Sequence, residues 1–204
     1  MKLPSLALLV GLLTLAGCGA EVDAPVIFGL EDGTVTTEEQ ELVPLAHFRE
    51  AGYTQVLLVP AGVANPDPAG LPLEAESRKR AVAAATYAQG IAPELIIAPA
   101  TRVGNFMSNN VRMGGQAALR PYDEGSAPAA IAAILTGEGA GKRVVVIGEV
   151  AELEAVVAAA YPAADFEWPA EGAYGLAYVA AGGADGAEVA VQPFAIVTDW
   201  SDQE

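Results

Sequence analysis

The chain has 204 residues, 52% of them apolar, which is enough for one domain with a single hydrophobic core. Its 10 basic and 26 acidic residues give a formal net charge of −16. This charge excludes nucleic acid as an expected partner, because phosphate binding requires basic surface. It also disfavours adhesion to anionic lipid beyond any covalent anchor.

The first residues resemble a bacterial lipoprotein signal peptide. Lys2 supplies one positive charge, the run from Leu3 to Ala16 is apolar, and small residues precede Cys18. This is the pattern of a cleaved targeting segment, and the run is too short to span a bilayer comfortably. We therefore predict a signal peptide over 1–17, lipidation of Cys18 and a short tether over 18–24.

The predicted anchor sets the expected location of the protein. Cys18 is the only cysteine in the chain, so no intramolecular disulfide is possible. Diacylglycerol and acyl chains on one cysteine hold a protein to a membrane without a transmembrane helix. We expect the remaining chain to lie outside the cytoplasm. In a bacterium with two membranes, Gly19 in place of Asp after the cysteine favours the outer membrane.

Between residues 25 and 198, apolar runs of strand length alternate with helical patterns, which is typical of an α/β layered domain. In chain order, the predicted strands are 25–28, 55–59, 95–98, 143–147, 173–180 and 188–197. The predicted helices are 36–51, 73–89, 101–113, 127–135 and 153–160. The three central strands are apolar throughout, which predicts a three-layer α/β/α sandwich around a mostly parallel sheet. The last two strands are predicted to form a hairpin, and a polar tail occupies 199–204.

The ends of the three central strands are where a site is expected, because ligands of such sheets bind at the carboxyl ends of the strands. The first central strand is followed by Pro60, Ala61 and Gly62. The second is followed by a segment that reaches Arg102, and the third by Glu149.

These strand ends, taken with the segments around them, are similar to those of a known family. The matching segments, in chain order, are 48–53, 71–84, 98–102, 119–125 and 141–148. The third of these segments keeps Pro99 and Arg102 of a Ser-Pro-x-x-Arg motif. Over about residues 42–195, the chain resembles the histidine phosphatase (phosphoglycerate mutase-like) superfamily. The resemblance implies the α/β fold of that family.

The same resemblance implies that the catalytic groups of the family are missing. Family members have a strand that ends in Arg-His, where this chain has Pro60 and Ala61, and a later strand that ends in Gly-His, where it has Glu149. A carboxylate at that position would repel a phosphate dianion. We therefore expect a catalytically degenerate member that is not an enzyme. The only histidine, His47, is expected on a helix that is remote from the strand ends.

Other motifs are weaker. Residues 136–143 superficially resemble a Walker phosphate-binding loop, but they lack its first Gly and final Ser or Thr and precede a strand instead of following one. Asp67, Asp123 and Glu124 lack the spacing of a calcium loop, and one His with one Cys does not make a usual zinc site. We expect no metal and no cofactor.

Three functions remain open from the sequence. The first is a non-catalytic, membrane-anchored lipoprotein that binds an envelope protein or a small ligand. The second is a phosphatase-type hydrolase with altered chemistry, in which Glu149 acts as a general acid or base and Arg102 orients an anionic substrate. The third is an α/β domain with a structural role, for which the family resemblance is coincidental.

Overall fold

The structure is a computed structural model that describes residues 24–164, 175–182 and 188–196. The predicted signal peptide, Cys18, the polar tail and most of the turn between the last two predicted strands lie outside the described residues.

Within these described residues, nine strands form one sheet. Their bounds are β1 (Val26–Glu31), β2 (Thr34–Thr37), β3 (Leu42–Pro44), β4 (Thr54–Pro60), β5 (Leu95–Pro99), β6 (Ala118–Tyr122), β7 (Arg143–Gly148), β8 (Gly175–Gly182) and β9 (Glu188–Ile196). Their order across the sheet is β3-β2-β1-β9-β8-β4-β7-β5-β6. The last four strands in this order run parallel to one another.

Helices cover both faces of the sheet. They are α1 (Ala75–Gly90), α2 (Arg102–Arg112), α3 (Pro128–Thr136) and α4 (Val150–Ala160). Successive side chains of a strand point to opposite faces. Accordingly, Leu57 of β4 packs in the core with α1 and α2, whereas Leu58 packs in the core with α3 and α4. The predicted three-layer sandwich is confirmed.

The prediction of a mostly parallel sheet is wrong, because the sheet is mixed. β8 runs antiparallel to both β4 and β9, and β2 runs antiparallel to both β1 and β3. The antiparallel pairing of β8 with β9 confirms the predicted hairpin. A continuous apolar run indicates burial on both faces and carries no information on direction, and β8 is as fully buried as β4.

The predicted helix over 36–51 is also wrong, since β2 and β3 occupy this segment. Asp32 and Gly33, with φ of 53° and 80°, form the tight turn that leads from β1 into β2. Pro44 cannot donate a helical hydrogen bond. His47 has a φ of 51°, in the left-handed region that an α-helix excludes.

The other four predicted helices are confirmed with small shifts at their ends. β6 was not among the strands predicted from the pattern, because only its last residue, Tyr122, is fully buried. Within the described part of the chain, none of the helices is both long enough and apolar enough to cross a membrane.

Candidate functional site

Four parallel strands bring their carboxyl ends to one edge of the sheet. Pro60 of β4 is in register with Gly148 of β7, and Pro99 of β5 is in register with Tyr122 of β6. The backbone pairing continues for one residue beyond β4, since the Ala61 N–H donates to the Gly148 carbonyl at 2.8 Å. The segments that follow these strands therefore meet at the same edge.

These segments enclose a cleft of about 880 Å³, which we name the carboxyl-edge cleft. Every residue predicted at the strand ends lines it: Pro60, Ala61, Gly62, Arg102 and Glu149. Its other polar lining residues are Asn65, Thr101, Tyr122, Glu124 and Glu152. The structure thus gathers into one site residues that are far apart in the sequence.

The floor of the cleft beside β4 carries no charged side chain. It consists of Pro60, Ala61 and Gly62, and Ala61 is 7% exposed. Gly62 has a φ of 76°, a left-handed conformation that favours glycine, and the chain turns here away from the sheet. The charged groups of the cleft therefore come from the ends of β5, β6 and β7.

Arg102 lies in the first turn of α2, directly after β5. The Thr101 hydroxyl caps this helix by accepting a hydrogen bond from the Gly104 N–H at 3.0 Å. The Arg102 guanidinium donates to the Gly70 carbonyl at 2.7 Å and lies 3.4 Å from the Asp67 carbonyl. Arg102 therefore holds the loop between β4 and α1 against the mouth of the cleft.

Glu149 follows β7 and occupies the N-cap position of α4. Its side chain makes no capping hydrogen bond and is exposed in the cleft. A carboxylate at a helix N-terminus is stabilised by the helix dipole.

Tyr122 and Glu152 form a polar pair in the wall of the cleft. The Tyr122 hydroxyl lies 2.7 Å from Glu152 Oε2 and 2.9 Å from the Ile147 carbonyl, and it can donate to either acceptor. Burial, with the hydrogen bond to Glu152, raises the pKa of Tyr122 well above its usual value. Tyr122 is therefore a neutral hydrogen-bond donor at physiological pH.

Sequence reasoning did not include Tyr122 and Glu152 in the site. A signal for Glu152 was present, because residues three apart in a helix lie on the same face and Glu152 is three residues after Glu149. No local pattern marked Tyr122, since its place depends on the pairing of β6 with β5.

The cleft has a clear electrostatic bias. Among the described residues, three carboxylates line it, from Glu124, Glu149 and Glu152, and Arg102 is the only cationic lining residue. No group of histidine, cysteine, aspartate and glutamate side chains within the described ranges is arranged to hold a metal ion. The arrangement favours ligands that bring positive charge or hydrogen-bond donors.

His47 lies at the opposite edge of the sheet, in a turn before β4, and does not line the cleft. Its ring stacks on Tyr53 with the centroids 4.2 Å apart, and its Nδ1 lies 2.7 Å from Glu50 Oε2. The expectation that His47 lies away from the strand ends holds, although the helix assigned to it does not exist. The chain has one histidine, so chemistry in the cleft uses other groups.

No family model and no curated protein sequence matches the chain. Solved structures do match it. A putative phosphohistidine phosphatase SixA from Nakamurella multipartitia is 20% identical, covers 70% of this chain and 94% of its own, and superposes with a TM-score of 0.50. Mycobacterial hydrolase 2 is 12% identical, covers 74% of this chain and 94% of its own, and has a TM-score of 0.52.

Both of these neighbours are named as enzymes, which corrects the expectation that the chain is not an enzyme: its fold is one that phosphatases and hydrolases use. The likeness is one of fold. At that level, the resemblance found in the sequence is not coincidental.

Proposed function

Since the chain has the fold of the histidine phosphatase superfamily, we propose that it is a lipid-anchored bacterial envelope protein whose carboxyl-edge cleft binds a small ligand with a protonated amine. Cys18 provides the anchor. The carboxylates of the cleft select the ligand.

The observation that carries this proposal is the charge of the cleft. Glu124, Glu149 and Glu152 face a space in which Arg102 is the only cation that the described ranges contribute, and two nitrogens of Arg102 are directed at backbone carbonyls. An ammonium group compensates this charge, whereas a phosphate dianion adds to it. The cleft therefore favours an amine over a phosphomonoester.

The rest of the lining fits a small organic ligand. The Thr101 hydroxyl and the Asn65 amide offer hydrogen bonds at the rim, and Val63 and Val150 add apolar surface that is 57% and 38% exposed. A cleft of about 880 Å³ lies within the usual size range of ligand pockets. Apolar walls with a few convergent polar groups are typical of such pockets.

The test is calorimetric titration with matched pairs of probes at constant ionic strength. Glucosamine is compared with glucose, and ethanolamine with ethanol, with para-nitrophenyl phosphate as the anionic probe. We expect the amine of each pair to bind at least tenfold more tightly than its neutral partner, because a charge-assisted hydrogen bond contributes about 1.5–3 kcal/mol. Because the fold is that of enzymes, each sample is also assayed for turnover of its probe.

Glu149→Gln and Glu152→Gln should each reduce this preference for amines, since each removes one carboxylate from the cleft. Glu39→Gln is the matched control, because it removes the same charge from an exposed residue that does not line the cleft. Equal affinity for amine and neutral probes, or para-nitrophenyl phosphate binding as tightly as the amines, would contradict the proposed ligand class.

The anchor has its own test. Metabolic labelling with a palmitate analogue should modify the wild-type chain and leave Cys18→Ser unlabelled, and the variant should move from the membrane fraction to the aqueous fraction. An unlabelled wild-type chain would refute the anchor and would leave the proposal for the cleft standing.

A further inference from the structure

A second concave surface lies between β1 and α1, on the face of the sheet that α1 and α2 cover. It is a groove of about 520 Å³, which we name the β1–α1 groove. The residues that define it are Phe28, Arg78, Lys79, Val82, Ala83 and Tyr87. None of them lines the carboxyl-edge cleft.

The groove joins apolar surface to two cations. Positions 78, 82 and 86 of α1 are four residues apart and share one side of the helix, and Val82 on this side is 42% exposed. Ala81 and Ala85 are buried in the core instead. The exposed side of α1 thus presents Val82 one helical turn after two basic residues, Arg78 and Lys79.

These cations stand out against the charge of the molecule. The chain carries a net charge of −16 and has 10 basic residues, and two of them border this one groove. Lys79 lies 3.2 Å from Glu76 in an exposed ion pair, which is a weak interaction that a competing anion can replace. Within the described part of the chain, Arg78 has no ion-pair partner. The groove therefore carries local positive charge on a strongly acidic protein, and an anionic surface can bind there.

The groove is also close to the proposed anchor along the chain. Phe28 on β1 follows Cys18 by roughly ten residues, which span at most about 36 Å when fully extended. If Cys18 is lipidated as proposed above, the β1–α1 groove lies within that distance of the membrane.

We propose that the β1–α1 groove is the membrane-facing surface of the domain and rests on anionic phospholipid. Arg78 and Lys79 bind headgroup phosphates, and Val82 contacts the region below the headgroups. Each basic residue near an anionic bilayer favours the bound orientation about fivefold, so the pair favours it about 25-fold. This inference rests on the proposed lipid anchor. It also revises the expectation that the acidic chain avoids anionic lipid beyond its anchor.

The experiment uses the full-length lipoprotein in vesicles. Acylated Cys18 has no free thiol, so a thiol-reactive fluorophore marks only an introduced cysteine. Val82→Cys places the fluorophore in the groove, and Met113→Cys places it at the end of α2, where the native side chain is 81% exposed. Lipids with brominated acyl chains then quench a fluorophore that contacts the bilayer.

In vesicles that contain phosphatidylglycerol, we expect quenching of the Val82→Cys label to exceed that of the Met113→Cys label severalfold. In phosphatidylcholine alone, the difference should be lost. Arg78→Ala with Lys79→Ala should abolish it as well. Arg112→Ala with Lys142→Ala, which removes two positive charges from residues outside the groove, should leave it unchanged.

Equal quenching of the two labels in phosphatidylglycerol would overturn the proposal. Self-quenching of the Val82→Cys label without lipid quenching would also overturn it, and would assign the groove to a second copy of the chain. Labelling of the wild-type protein would report a free Cys18, so failure of the anchor is recognised separately from failure of the groove.

Discussion

A tyrosine and a glutamate are paired at each end of the parallel strands, in different surroundings. At the carboxyl edge, the Tyr122 hydroxyl lies 2.7 Å from Glu152. At the opposite edge, where β4 begins and which we name the amino edge, the Tyr53 hydroxyl donates to Glu188 at 2.5 Å. The first pair lines an open cleft, whereas His47 stacks on the second and occupies the adjacent space. A tyrosine–glutamate pair is therefore accessible to a ligand only where its neighbours leave room for one.

A glycine sits against each pair, and the two glycines meet different obstacles. A Cβ on Gly148 would lie 2.6 Å from Glu152 Oε2, the end of a flexible side chain, and 3.0 Å from the Tyr122 hydroxyl. A Cβ on Gly182 would lie 2.4 Å from the rigid ring of Tyr53. The amino edge is thus closely packed, and the carboxyl edge can be altered with less damage to the fold.

The largest expected effect is alkaline destabilisation, because many tyrosines have raised pKa values. Burial raises the pKa of Tyr161 to about 12, and the hydrogen bond to Glu188, with burial, raises that of Tyr53 to about 12. Burial also raises the pKa values of Tyr87, Tyr122 and Tyr178. Between about pH 10 and these raised values, the folded state holds protons that the unfolded state has lost. The contribution of the tyrosines to the free energy of unfolding should therefore be constant below about pH 10, and the free energy of unfolding should fall as pH rises above it.

Urea unfolding at a series of pH values measures this slope, and tyrosinate absorbance reports the titration. Tyr122→Phe and Tyr53→Phe should each reduce the slope, because each removes one group that stays protonated in the folded state above pH 10. A free energy of unfolding that stays level up to about pH 11 would show that the tyrosines are not shifted.

The two glycines provide the second prediction. Gly182→Ala forces a methyl group against the ring of Tyr53 and should lower the free energy of unfolding by about 2 kcal/mol. Gly148→Ala displaces the end of Glu152 and should cost about 1 kcal/mol, while it should weaken the proposed ligand binding in the cleft. Denaturant unfolding and calorimetric titration of both variants separate the two effects.

Gly115→Ala is the control for a change of glycine to alanine, because a Cβ there meets no atom within 4 Å. If Gly148→Ala proves as destabilising as Gly182→Ala, the carboxyl edge is as rigid as the amino edge and the contrast between them fails.

Much of the fold could be predicted from local pattern, and the failures have physical causes. The buried strands and four helices followed from apolar runs and periodicity. Strand direction did not, because an antiparallel strand such as β8 is as apolar as a parallel one when both faces are covered. The prediction of a helix over 36–51 was wrong because the Asp32-Gly33 turn returns the chain along β1, so that residues 34–37 form a strand instead.

The topology rule predicted where the candidate site lies, whereas the sequence predicted only some of its lining residues. The rule that ligands bind at the carboxyl ends of strands identified Ala61, Arg102 and Glu149 as neighbours in the fold. Tyr122 and Glu152 enter the site through strand pairing and helix packing, which are long-range contacts. Local patterns could not predict that Arg102 donates to a carbonyl of the loop between β4 and α1, because this is also a long-range contact.

The third prediction compares the two tyrosines as structural hydrogen-bond donors. Tyr122→Phe removes the donor to Glu152 and should lower the free energy of unfolding at neutral pH by about 1 kcal/mol. Tyr53→Phe should cost less, because Glu188 is largely exposed and water can replace the lost donor. Thermal and denaturant unfolding provide the measurement. A larger loss of free energy of unfolding for Tyr53→Phe would show that the pair at the amino edge, and not the pair at the carboxyl edge, is the one that water cannot replace.

The smallest effect is expected at Arg49, beside the cluster at the amino edge. Arg49 forms an exposed ion pair with Asp32, contacts the ring of Phe48 and has a φ of 64°. Arg49→Ala and Arg49→Gly both lose these contacts, but only glycine adopts this φ without strain of about 1–2 kcal/mol, against an entropic cost of about 0.5–1 kcal/mol. Denaturant unfolding should therefore find Arg49→Gly more stable than Arg49→Ala by about 0.5–1 kcal/mol. Equal stability would mean that the turn before β4 relaxes, and the amino edge would then be less rigid than its stacked rings suggest.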